Sequence, residues 1–171
     1  MDLFATILET AGASPPGPTH SHSLLSLLTG NRTQVREALL YGTFGQGVCA
    51  TDGEWTLFKS PEREGPLYYY SPMVFKSLIV DSVSSPAGQG HYIPDVDLMQ
   101  WQVPVRIEPA TTGPLGRENF LFHRSEDPEQ SRNLWNEVLS ERERMLGLLR
   151  ELMTQQGAPS EQYARLGLYR R

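Results

Sequence analysis

Few residues able to do chemistry stand at the spacings that chemistry uses. His20 and His22 lie two apart in a loop, and they could hold a metal only if further ligands came from elsewhere. Zinc sites draw on cysteine or a close carboxylate cluster, and neither is adjacent, so both read as exposed loop histidines. Asp95 and Asp97, near His91, are only superficially an oxygen-rich metal patch and read as a structural loop. Cys49, the single cysteine, sits between Val48 and Ala50 and reads as a small buried hydrophobe. A reactive thiol needs a basic neighbour or a helix start to lower its pKa, and none is near in sequence. His123, Arg124, Glu126 and Asp127 have the make-up of an acid–base cluster, but Pro128 follows at once, which gives them the work of turning the chain. An independent enzyme would have to be built on His91 or His123, with a formed pocket and a perturbed pKa. There is no Gly-x-Ser-x-Gly elbow, no His-Glu-x-x-His and no phosphate loop; Gly42 to Gly47 lacks a following Lys-Ser/Thr and reads as a turn or bulge.

The elements that would position these groups follow from periodicity. Asp2 is a candidate N-cap for a helix carrying Leu3, Phe4, Ile7, Leu8 and Ala11 on one face and ending at Gly12. Ala13 to Thr19, rich in proline, is a link. Ser23 is expected to cap a short helix over 24–28 that stops at Thr29-Gly30. From Glu37 the period becomes that of strands: Ala38 to Phe44, Gly47 to Thr51, Glu54 to Ser60, Leu67 to Tyr70 and Asn119 to Arg124. Asp52-Gly53 predicts a two-residue type I′ hairpin turn. Ser131 or Asn133 is expected to cap a C-terminal helix with Leu134, Val138, Met145, Leu149 and Leu152 in one stripe, ended by Gly157 and Pro159. Trp135 reads as core or helix-start packing.

These elements give an α+β fold: about four antiparallel strands covered on one face by a 134–156 helix, preceded by two short N-terminal helices. Between Ser71 and Glu118 no period is sustained. Lys76 to Val83 is open to strand or helix, and Val103 to Ile107 reads as an edge segment because of Pro104. A loop this long is often functional or docked on something else. The aromatics around it, Tyr68, Tyr69, Tyr70, Phe75 and Trp101, read as packing or interface, with a substrate-pocket wall as the other reading.

The chain has 171 residues, 20% of them charged, with a net charge of −5. That length fits one domain with a real core, and the acidic balance gives no footprint for nucleic acid; the late Arg165, Arg170 and Arg171 read as a solvated tail. One cysteine excludes an internal disulfide framework and a multi-cysteine zinc site. No basic region followed by an apolar run opens the chain, and no stretch is long enough to span a bilayer, so a cytoplasmic location and no membrane partner are expected.

Three stretches together resemble the C-terminal part of the sulfatase family, in the alkaline-phosphatase-like superfamily. Asp2-Leu-Phe-Ala-Thr-Ile-Leu-Glu-Thr-Ala-Gly12 is similar to the family helix Asp-Leu-x-Pro-Thr-Leu-Leu-x-Leu-Ala-Gly. Ser23-Leu-Leu-Ser-Leu-Leu-Thr-Gly30 is similar to the Ser-Leu-Leu-Pro-Leu-Leu-x-Gly segment that follows it. Phe120 to Leu134 is similar to the Leu-Tyr-Asp-Leu-x-x-Asp-Pro-x-Glu-x-x-Asn-Leu signature near the family's end. The departures are Ala5 and Ser26 in place of prolines, His20-Ser21-His22 in place of an Asp-Gly, and His123-Arg124 in place of an acidic residue.

The resemblance implies residues 1–30 as a helical arm at the edge of a catalytic domain and 31–171 as a C-terminal subdomain with a long insertion at 71–118. It implies a sulfuric ester hydrolase whose nucleophile is formylglycine, made from cysteine in a Cys-x-Pro-Ser-Arg context beside a calcium-type divalent ion. Both would lie upstream of the first helix. Cys49, in Cys-Ala-Thr-Asp-Gly, is not that nucleophile, so the chain alone is expected to be inactive, with no catalytic residue and no cofactor of its own. Whether the parent would be a sulfatase or a phosphonate monoester hydrolase stays open. The alternative is a stand-alone binding or oligomerisation module derived from such a tail. In either case Leu3, Phe4, Ile7 and Leu8 are an expected interface, toward the catalytic domain or in a homodimer, including one with an N-terminal arm swapped through the hinge Pro15-Pro16-Gly17-Pro18.

Overall fold

The computed structural model describes residues 2–17, 19–62, 66–72, 87–93, 96–105 and 118–168. The chain divides into two compact units, Met1–Glu37 and Ala38–Arg171.

The first unit holds α1 (Asp2–Thr10) and α2 (Leu25–Leu28), the two expected short helices. Asp2 is not spent on capping: its carboxylate accepts from the backbone N–H of His22 (3.0 Å) and from the Arg36 guanidinium. Ser23 Oγ accepts from Leu25 N–H at 3.2 Å, but the cap position itself falls on Leu24.

The second unit is built on a four-stranded antiparallel sheet in the order β1-β2-β3-β7, formed by β1 (Leu39–Gly42), β2 (Val48–Thr51), β3 (Trp55–Lys59) and β7 (Phe120–His123). Directly opposed residues share a face, so the register sets Leu40, Ala50, Leu57 and Leu121 in one row across all four strands. The long helix α3 (Leu139–Gln155) covers that row with Met145, Leu146, Leu149, Leu152 and Met153, all buried. A short α4 (Ser160–Arg165), which sequence periodicity did not reveal, adds Leu166 and Leu168 at its end to the same core. The fold is α+β, with a C-terminal helix on one sheet face.

Two buried cations tie the sheet together. Lys59 Nζ donates to Ser60 O (3.2 Å), Glu62 Oε1 (2.8 Å) and Asn119 Oδ1 (3.3 Å), joining the end of β3 to the entry of β7. The Arg165 guanidinium donates to Gly45 O (3.0 Å) and Gln46 O (2.7 Å), which holds the β1–β2 turn. Burial lowers its pKa, and Arg165 is no part of a solvated tail. Arg170 and Arg171 lie outside the described residues.

Four further expectations need correction. The Leu67 to Tyr70 strand, β4 (Tyr68–Ser71), belongs to a second, three-stranded antiparallel sheet in the order β4-β6-β5, with β5 (Gly88–Gly90) and β6 (Gln100–Pro104). The segment read as an edge is therefore β6, the central strand; Pro104 is tolerated because it ends the ladder opposite Tyr68. The Asp52-Gly53 turn has positive φ at Gly53 (+94°) and not at Asp52, whereas type I′ needs two. Asp52 Oδ1 instead accepts from Glu54 N–H (3.0 Å) and Trp55 N–H (2.7 Å), an Asx turn. Finally, α3 begins at Leu139 rather than Leu134, because Asn133 and Leu134 are engaged by β7. The expectations for Phe75, Lys76 to Val83, Asp95 and Pro18 fall outside the described residues.

Candidate functional site

On α1 the small and polar residues face inward. Ala5 and Thr6 are buried, whereas Leu3, Phe4 and Ile7 are 68%, 48% and 66% exposed, with Leu8 half-buried. The cause is a set of hydrogen bonds on the inner side. Thr6 Oγ1 donates to Asp2 O (2.7 Å) and accepts from Leu24 N–H (2.9 Å), and Ala5 N–H donates to Ser21 Oγ (3.1 Å). Arg36 clamps the helix start, donating to Asp2 and to His20 O (2.9 Å). The guanidinium, followed by the His22 N–H, holds the Asp2 carboxyl below its ordinary pKa. An open cleft of about 400 Å³ in the same unit is lined by Glu9, Ser21, His22, Ser23, Ser26, Arg32 and Val35.

The face of the four-stranded sheet away from α3 is rich in aromatic residues. Opposite the α3 side, the register aligns Tyr41, Cys49, Phe58 and Phe120 in one row, and Leu39, Thr51, Thr56 and Phe122 in the next. Phe58 and Phe120 meet edge-on at 6.0 Å between centroids, and Phe120 stacks on Phe122 at 5.8 Å. The rings are half-buried and shelter Cys49 and Thr56 beneath them. Burial pushes the Cys49 thiol up to about 11, so it is a packed, protonated group, as its neighbours in sequence suggested. The strand expected over Asn119 to Arg124 is β7. The signal missed is that Phe120, Leu121 and Phe122 in succession make both faces of a strand apolar.

The second sheet divides the expected aromatics. Tyr68 and Tyr70 share one face, where Tyr70 packs on Tyr92 at 5.0 Å and its hydroxyl donates to the Glu161 carboxylate. Burial and this carboxylate together push Tyr70 up to about 12. Trp101 pairs with Ser71, which puts it on the opposite face with Tyr69. Between β5 and β6 the buried Gln100 side chain accepts from Tyr92 N–H (2.7 Å) and donates to Leu98 O, and Ile93, Val96, Leu98 and Met99 are exposed around it.

The charged run after β7 is structural in its contacts. His123 is shielded, edge-on to Trp55 at 4.6 Å, with Nδ1 accepting from Glu126 N–H (3.3 Å) and Nε2 3.3 Å from Glu54 Oε1. Asp127 accepts from Arg132 N–H (2.8 Å) and Ser131 Oγ (3.0 Å), which keeps its carboxyl below the ordinary range. Asn133 then behaves as a strand rung: its Oδ1 accepts from Leu121 N–H (3.1 Å), its Nδ2 donates to Asn119 O (3.0 Å), and Leu134 N–H donates to Leu121 O (2.8 Å). The free edge of β7 is thereby closed. His20, His22, His91 and Asp97 are exposed, and among the described residues no group of three or more His, Cys, Asp or Glu comes together as a metal donor set. No described helix is long and apolar enough to cross a membrane.

No family model matches the chain, and no curated protein matches it. Among solved structures it is similar to BT33336S-sulf of Bacteroides thetaiotaomicron, a sulfatase described with the metabolism of multiple glycosaminoglycans by a versatile core genetic locus. The TM-score is 0.51 at 15% identity, over 90% of this chain and 24% of the sulfatase. The chain thus spans about a quarter of the protein whose fold it shares.

Proposed function

We propose that this chain is the non-catalytic C-terminal portion of a sulfatase-like sulfuric ester hydrolase. It supplies a folded subdomain and interface surface, and the catalytic residues come from another part of the enzyme. The observation that carries the reading is that 90% of the chain aligns with only 24% of a sulfatase. The outward apolar side of α1 supports it, since a face of this kind is unfavourable in water and is expected to meet a partner. On this reading Leu3, Phe4 and Ile7 in one unit, and Tyr41, Phe58, Phe120 and Phe122 in the other, pack against the catalytic part. Cys49 takes no part in chemistry. The formylglycine and calcium-type ion implied by the family resemblance belong to the absent part.

The test is an assay of the purified chain with an aryl sulfate, with and without added calcium. The expected result is no turnover above the uncatalysed rate. Turnover at an enzyme-like rate would overturn the reading. The second reading, a stand-alone assembly module, draws on the outward apolar face of α1, which a second copy could also cover. Ile7→Glu separates the two: it abolishes self-association under the module reading and leaves the oligomeric state unchanged under the first.

A further inference from the structure

We draw no further inference here: the strongest candidate, the surface patch of exposed Ile93, Val96, Leu98 and Met99 between β5 and β6, carries nothing, because nothing in the structure shows what covers it.

Discussion

Helices α1 and α3 each carry apolar residues at helical spacing, yet they end in opposite situations. In α3, Met145, Leu149 and Met153 lie under the sheet and are almost inaccessible; in α1, Leu3 and Ile7 lie mostly in solvent. The difference comes from what each helix finds on its other side. α3 meets the row Leu40, Ala50, Leu57 and Leu121, which is apolar throughout. α1 is held by polar bonds of Thr6 and Asp2 to the 21–24 segment and Arg36, so its apolar side remains for something else. Periodicity thus shows that a helix has a face to cover, and only the structure shows whether this chain covers it.

The contrast can be broken by substitution. Leu149→Ala removes a fully buried side chain and is expected to cost ~2–5 kcal/mol of stability, read from the urea midpoint. Ile7→Ala on α1 is expected to change the same midpoint by no more than ~0.5 kcal/mol. Equal losses at the two positions would mean that α1 is packed in solution.

Gly157, at φ +64°, ends α3 with its N–H donating to Thr154 O and the Ala158 N–H to Met153 O. Replacement by alanine forces a left-handed conformation on a residue with a Cβ, at ~1 kcal/mol or somewhat more. Asn133→Ala removes the rung on β7 at ~1 kcal/mol. Its sharper readout is amide exchange, faster at Leu121 and unchanged at Leu57.

The smallest expected effect is electrostatic, and it acts on both units. Asp2 and Asp52 both titrate below the ordinary carboxylate value of 3.8. For Asp2 the cause is chiefly the Arg36 hydrogen bond; for Asp52, burial acts upward, and bonds from Trp55 N–H and Arg144 outweigh it. A lowered folded pKa means stability that is fully present above pH 3.8 and lost as pH falls through the folded values. Acid titration followed by circular dichroism is expected to show that loss, and Arg36→Ala to reduce the part due to Asp2, leaving the share of the His22 N–H.

Much of this fold was legible because local pattern and tertiary packing agree. α1, the 48–59 hairpin, β7 and the stripe of α3 all lie close to where spacing put them. The start of α3 was not legible, because Asn133, a good cap in isolation, is claimed by β7, and a tertiary bond overrides the local preference. Nor was the second sheet: Gly88-Gln-Gly90 has no side-chain pattern, and β6 carries two glutamines whose amides bond across the sheet and to the adjoining loop. The aromatic sheet face was written in Phe120-Leu121-Phe122 but needed the four-strand register to assemble it. Of the expected interface, Leu3, Phe4 and Ile7 are the residues most open to solvent. Tyr68 and Tyr70 are parted from Trp101 by the thickness of the second sheet.

The most direct test of the central claim is the size of the native polypeptide, measured by immunoblot and mass spectrometry with an antibody raised against this chain. The account predicts a polypeptide several times the 19.2 kDa of the chain, with a Cys-x-Pro-Ser-Arg sequence ahead of α1. A native product of 19.2 kDa, with no such sequence joined to it, would contradict it.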